Sequence, residues 1–535
     1  MLCCRAATLW WVCVMCALGS AQEPRKDVAA FQGAVRDSVT GQGIPRASIR
    51  LVPGAAGEPG YAGSSNAEGA FRFEAIKPGD YRVEVTHPGY NKQAPSGPAV
   101  HFAAGEERED ETRLDPFATI AGRIANADGE PIPGAAVRGV AEAWQRGFRV
   151  YQVAAAAEAD DNGAYRLRLS AGRYYVSAMR LSDSVIPRTY VAGSQTEEVG
   201  TAKRYYPGAP AVDGGALVAV RPGETIGGID IKLPDVVFRH VRGAIQPTSS
   251  QAMAILRPRN GDQTQGSVGG GSLRKDGSFD FRVEPGTYWL ELWPPGPRPT
   301  GIMPVDVGDR DVNNLRVLGV MPFELKGRVL FDDDGLRRTA SAIKLRMQAL
   351  NWYTFSVAMG VPIGPDGGIS LPRMAAARYA ISLDPESDDY IKSISYGGRD
   401  LAAGIIDLSA GASGDLEIAL DSGTGEVEGS AHWDQAIPGA VAVLVSAEGR
   451  TGNTGARGVE IGADGRFRFR FAPPGRYRVF VCERFDADLW QNMDLIELVR
   501  ERGVTVDLTK KATASVEVPP IPERDIRSAI ERLPR

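Results

Sequence analysis

Five times along this chain a tight turn is followed by an aromatic strand, a second turn and a strand led by tyrosine. That cassette confines the fold to small β-structures. It is clearest at Ala463-Asp464-Gly465-Arg466-Phe467-Arg468-Phe469, followed by Pro474-Gly475-Arg476-Tyr477-Arg478-Val479-Phe480-Val481. Asp-Gly supplies the positive φ of a hairpin turn, and Phe467 and Phe469 alternate away from it onto one face. Pro-Gly makes the next turn, because Pro fixes its own φ and Gly tolerates conformations other residues resist. Tyr477, Val479 and Val481 then share one face of the following strand. Further copies run from Asn66 to Phe73 with Pro78 to Val85, from Asp161 to Tyr165 with Ala171 to Tyr174, and from Asp276 to Phe281 with Pro285 to Tyr288. A degraded copy joins Asp366-Gly367-Gly368-Ile369 to Ala377-Arg378-Tyr379.

The tyrosines at 81, 174, 288, 379 and 477 are 93, 114, 91 and 98 residues apart, a spacing that suits small domains and exceeds a solenoid repeat. Each unit opens on a glycine inside a mostly apolar strand: Gly33, Gly122, Gly243, Gly327 and Gly429. Three units continue into Ile-Pro-x-Ala (Ile44 to Ala47, Ile132 to Ala135, Ile437 to Ala440), and several close on an alternating strand, as at Ile229 to Leu233, Leu416 to Leu420 and Val516 to Val518. Short strands at turn-punctuated intervals predict an all-β chain, a tandem array of about five small antiparallel Ig-like or transthyretin-like β-sandwiches. The boundaries read as 28–115, 116–234, 235–321, 322–421 and 422–520, with 521–535 a tail.

A glycine in the first strand, then Ile-Pro-x-Ala, Asp-Gly-x-Phe and Pro-Gly-x-Tyr-x-Val resembles the carboxypeptidase regulatory-like domain. The resemblance covers nearly all of the chain after residue 27. It implies a transthyretin-like, prealbumin-type sandwich, similar to the B-type repeats of collagen-binding adhesins and to starch-binding-like domains. Tyr205-Tyr206-Pro207-Gly208 and Tyr390 to Ile394 also look like stretches of secreted multi-domain proteins of soil bacteria. Such a resemblance speaks to fold, and fold does not imply function.

Arg5, the apolar run Ala6 to Leu18 and Gly19-Ser20-Ala21 predict a signal peptide over 1–21, cut near Ala21; the run is short for a membrane span. A lipoprotein reading of Cys16 is disfavoured by Val14-Met15. The chain is therefore expected to be secreted, periplasmic or held at the cell envelope, with no later stretch apolar enough to span a bilayer. Four of the five cysteines lie in the leader, so Cys482 is left alone and no internal disulfide is expected in the mature chain. Alternation puts Cys482 on the face opposite Tyr477, Val479 and Val481, tucked under a neighbouring loop or domain. The chain has 61 basic and 66 acidic residues; removing Arg5 leaves 60 against 66, a net charge of about −6. With no basic stripe, nucleic acid is not expected as a partner. Pro-containing joints predict semi-rigid connections and a bent or beaded rod. Glu523 to Leu533 is expected to form a short amphipathic helix through Ile526 and Ile530.

No catalytic constellation emerges. The four histidines (His87, His101, His240, His432) supply no His-x-x-Glu pair for zinc, and there is no His-Glu-x-x-His, Gly-x-Ser-x-Gly or Gly-x-x-x-x-Gly-Lys. Gly269-Gly270-Gly271 reads as a flexible loop. Two acidic turns, Asp332-Asp333-Asp334-Gly335 and Asp160-Asp161-Asn162-Gly163, lack the Glu an EF-hand loop places at position twelve and read as solvated turns. For an adhesin-type isopeptide bond only Lys326 stands near a first strand, and its closing strand offers no Asn, the nearest Asp being Asp415. Neither a metal nor a cofactor is expected, and the chain reads as non-enzymatic.

The stretch with a binding flavour is Tyr288-Trp289-Leu290-Glu291-Leu292-Trp293. Alternation sends Tyr288, Leu290 and Leu292 inward and Trp289, Glu291 and Trp293 outward, the two indoles ~13 Å apart at about 3.3 Å per residue. Such a platform would stack on sugar rings; the competing reading is packing under a loop or a neighbouring unit. Trp144 with Phe148 and Tyr151, and Trp352 with Tyr353 and Phe355, are weaker candidates. The functional expectation is a non-catalytic secreted protein acting in binding, or as a structural or adhesive module at the cell envelope, with an envelope protein or polysaccharide as partner. The alternatives are a carbohydrate-binding protein and an accessory component of an outer-membrane uptake system.

Overall fold

The computed structural model describes residues 27–54, 60–91, 100–145, 147–180, 188–192, 195–246, 253–260, 262, 264, 269–293, 301–331, 343–350, 359–383, 387–401, 404–433, 437, 439–447, 456–462, 464–483 and 489–533. The leader, the Asp332-Gly335 cluster and the Trp352 to Phe355 stretch lie outside them. The chain divides into two compact units, Met1–Leu114 and Asp115–Arg535. Strands dominate both, and no helix among the described residues is long and apolar enough to cross a membrane.

Each cassette folds alike. The strand carrying the opening glycine pairs antiparallel with the aromatic hairpin strand on one side and parallel with the closing strand on the other. In the first unit Ala29–Asp37 lies between Ala70–Ile76 and Glu107–Leu114. In the last sandwich Gly425–Ser430 lies between Arg466–Ala472 and Thr513–Glu517. The tyrosine strand sits in the opposing sheet: Gly79–Thr86 between Ser48–Pro53 and Val100–Phe102, Gly475–Cys482 between Val441–Ser446 and Val504–Leu508. The all-β sandwich architecture is as expected, with mostly antiparallel ladders. The parallel first-to-last pairing is new, because alternation reports which face a strand buries and not the direction in which it runs.

The opening glycines now have a reason. A Cβ on Gly33 would strike the carbonyl oxygen of Asp110, one on Gly327 that of Leu416, and one on Gly429 the ring of Phe467. Strand and phenylalanine close over a position with room for no side chain. The Gly-x-Tyr spacing has one too. The tyrosine hydroxyl donates to the carbonyl four residues earlier: Tyr174 to Ser170 at 3.0 Å, Tyr288 to Glu284 at 2.6 Å, Tyr379 to Ala375 at 2.8 Å and Tyr477 to Pro473 at 2.6 Å. A buried phenol needs a partner, and the turn carbonyl is within reach. The ring lies over the glycine, where a Cβ at Gly286 would sit 3.0 Å from the Tyr288 hydroxyl.

The first unit packs Phe31 edge-on against Phe71 and Phe102, with Tyr81 against Phe102. Among the described residues the second unit holds four such cores, built around Ile120 and Val176, Leu256 and Leu290, Leu325 and Tyr379, and Phe469 and Val479. Two local expectations change. Gly269–Ser272 is not a loop but an edge strand paired with Met253–Leu256, since a ladder uses backbone groups and asks nothing of side chains. A helix, Met493–Leu498, was not anticipated; six residues are too few for a helical period to show. The expected C-terminal helix forms as Glu523–Glu531, burying Ile526 and Ala529.

Candidate functional site

Tyr288, Leu290 and Leu292 are buried as alternation required. Trp289 is half-buried, and the Arg259 guanidinium lies over its ring, 5.0 Å from the centroid. Arg257 stands opposite Trp289 across the ladder and pairs with Glu291 at 3.1 Å, both side chains at most 20% exposed. Burial raises the Glu291 carboxyl above its ordinary value, with Arg257 opposing. Trp293 continues the strand opposite Met253, and its side chain lies outside the described residues. Two arginines thus engage the ring face and the carboxylate that a glycan platform would use.

The most deeply buried ion pair among the described residues lies elsewhere, between the second and third sandwiches. Lys203, just before the short strand Arg204–Tyr205, points its ammonium at Asp262 Oδ2 (2.9 Å) and at the Tyr205 hydroxyl (2.6 Å). The Tyr205 hydroxyl donates to the same carboxylate, while the Thr264 hydroxyl and amide donate to its other oxygen. The Lys203 and Asp262 side chains are 2% and 3% exposed. Burial pushes Asp262 up, but Lys203, Thr264 and Tyr205 more than offset this, so its carboxyl lies below the usual value. Burial pushes Lys203 down to about 8 against the pull of Asp262. Arg138 adds a hydrogen bond to the Thr264 carbonyl. Alongside, Arg204 grips Glu284 through two bonds, 3.0 and 2.6 Å long, at the turn whose carbonyl anchors Tyr288. Tyr205-Tyr206-Pro207-Gly208 stood out in the sequence only as part of a resemblance, and nothing near Lys203 pointed to Asp262, 59 residues away.

A second joint of this unit is fastened likewise. Between the fourth and fifth sandwiches, Asp388 Oδ1 accepts from the amide and hydroxyl of Thr424, and Asp421 accepts from Lys510 and Tyr390. The Lys510 hydrogen bond holds the Asp421 carboxyl down at about 2. The second sandwich also touches the fifth. Trp144 is buried among Phe480, Leu489, Leu495 and Ile496, and the Asn492 side-chain amide donates to the Gly147 carbonyl at 2.7 Å. The sandwiches of this unit are therefore not the separate beads expected from their proline joints. Tyr151 is buried and Phe148 half-exposed on that hairpin. Cys482 is buried in the same layer, opposite Tyr477, and burial pushes its thiol up to about 12.

Other candidates resolve locally. Asp160 accepts from the amides of Asn162 and Ala164, closing its turn on itself. Lys326 is exposed beside Glu324. His101 pairs with Asp80, His240 with Asp280 and Glu198, and His432 with Glu517. Among the described residues no three His, Cys, Asp or Glu side chains converge on a metal site.

Residues 30–111 match the carboxypeptidase regulatory-like domain family. No curated protein matches the chain. Solved structures with similarity include the TIE protein of Bacillus anthracis, at 12% identity and a TM-score of 0.17, covering 55% of this chain and 51% of that one. The minor pilin GBS52 of Streptococcus agalactiae gives 12% and 0.23, covering 39% and 96%. The major pilin subunit BcpA of Bacillus cereus gives 11% and 0.16, covering 55% and 99%. The match thus spans about half the length of the first of these.

Proposed function

We propose that this chain is an exported, non-catalytic β-sandwich scaffold, acting in binding or as a structural or adhesive module at the cell envelope. Its partner would be an envelope protein or a polysaccharide. The observation that carries the reading is the use made of the buried polar side chains. An enzyme aims such groups into a cleft that substrate can enter. Here Lys203, Tyr205, Asp262 and Thr264 face one another across a joint, with side chains of the charged pair almost wholly shielded from solvent. Their chemistry is spent on holding two sandwiches in register.

The test is expression in a native-type host with the leader intact, followed by cell fractionation and affinity capture from the envelope. The expected result is a chain trimmed near Ala21 that captures an envelope component. Recovery in the cytosol with the leader uncut would refute export. Saturable binding on a glycan array that is lost in Trp289→Ala/Trp293→Ala would instead establish the carbohydrate reading. Co-purification with a transport barrel would establish the uptake reading.

A further inference from the structure

We infer that the hairpin Ala135–Gln145 and Phe148–Glu158 is a releasable latch that clasps the second sandwich to the fifth, so that the second unit has a closed and an open state. The hairpin outruns its own sheet. Ala136 to Val140 pair with both Phe148–Glu158 and the strand Gly172–Arg180. Ala141 to Gln145, by contrast, pair with Phe148 to Gln152 alone. Tyr151 fastens the hairpin to the body of the unit, bridging Asp262 and meeting Tyr175 edge-on; beyond it, Ala143 to Val150 form a two-stranded end, and such an end is marginal in water by itself. Its outer end is held by the fifth sandwich, 345 residues away along the chain.

Three observations define the clasp. Trp144 fills the layer between the outer face of the fifth sandwich, at Phe480 and Cys482, and the helix Met493–Leu498. Gly147, at φ +77°, brings its backbone so close that a Cβ would lie 2.6 Å from the Asn492 nitrogen. Asn492 then does two jobs: its amide nitrogen binds the Gly147 carbonyl, and its oxygen caps the helix by accepting from Leu495 N at 2.8 Å. Ribbon and helix are thus ordered by one side chain.

The clasp is built to open before any sandwich unfolds. Each sandwich has a complete core of its own, whereas the ribbon's outer end, beyond Tyr151, contributes Trp144. Inside the ribbon the buried Arg149 Nε has no hydrogen-bond partner, its carboxylate neighbour Glu142 lying 3.6 Å off. A buried unsatisfied donor is relieved when the ribbon leaves. Such locally weak contacts are where native proteins open first. The third and fourth sandwiches tether the two ends meanwhile, so reclosure is intramolecular and concentration-independent.

The test is native-state hydrogen exchange on the full chain. Residues 143–150 and 489–499 should exchange together, faster than Ala118–Asn126 and Gly475–Cys482. Trp144→Ala should speed both segments at least tenfold, leave those core strands unchanged and make Cys482 accessible to a thiol reagent, read by peptide mass. Asn492→Asp keeps the helix cap and loses the donor to Gly147, so it should shift the same two segments in the same direction with the fold retained. Unchanged exchange at 489–499 in both variants would overturn the latch. So would a rise that spreads through the fifth sandwich's core, since Trp144 would then be part of that core.

Discussion

Removing the Lys203 ammonium should destabilise the joint between the second and third sandwiches far more than removing the whole ion pair. At 2.9 Å the attraction is about 6 kcal/mol for an effective dielectric of about 20. Desolvating both ions consumes most of it, so the net value of the intact pair is small. The asymmetry appears when one partner goes. Lys203→Met leaves Asp262 ionised and shielded from water, compensated only by Tyr205 and Thr264, and should cost about 3–5 kcal/mol. Lys203→Met/Asp262→Leu removes both charges and should recover ~2–4 kcal/mol of that loss. Amide exchange at Arg204 and Tyr205, the latter bonded to the Ala209 carbonyl at 2.7 Å, reports opening of this joint without assuming two-state unfolding. A double mutant as unstable as the two single losses summed, with a coupling below about 0.5 kcal/mol, would refute the reasoning.

Three further outcomes follow from the same geometry. Tyr477→Phe strands the Pro473 carbonyl without its 2.6 Å donor and should lower the stability of the fifth sandwich by about 1–2 kcal/mol, read by exchange in Gly475–Cys482. Gly327→Ala drives a methyl into the Leu416 carbonyl and should cost about 1–3 kcal/mol by prying the first strand of the fourth sandwich from its closing strand. Asp421 titrates at about 2 in the folded chain against an ordinary 3.8, so the folded state binds fewer protons. Its contribution is present above pH 4 and lost as pH falls toward 2; an acid titration of the joint should lose that step in Asp421→Asn.

Most of what was legible in the sequence is local. The turn pairs, the alternating phenylalanines and the buried face behind Tyr477 are set by residues a few positions apart, and they stand where the pattern put them. The helix over Ile526 was legible for the same reason. The glycines of the first strands could be seen but not explained, because what crowds Gly33 is the backbone of Asp110, 77 positions on. The fasteners were illegible outright. Lys203 and Asp262 belong to different sandwiches, and Trp144 meets its neighbours only once the fifth sandwich has folded. At the outward tryptophan stretch, alternation gives the face of Trp289 and Glu291 and is silent about Arg257 and Arg259 beside them.

The account depends on polar side chains being sealed inside the joint between the second and third sandwiches. Acetylation of the native chain with an amine-selective reagent, mapped by peptide mass, tests this directly. Lys326, 66% exposed, should be modified fully while Lys203 stays unmodified until the chain is denatured. Modification of Lys203 at the rate of Lys326 under native conditions would contradict the account.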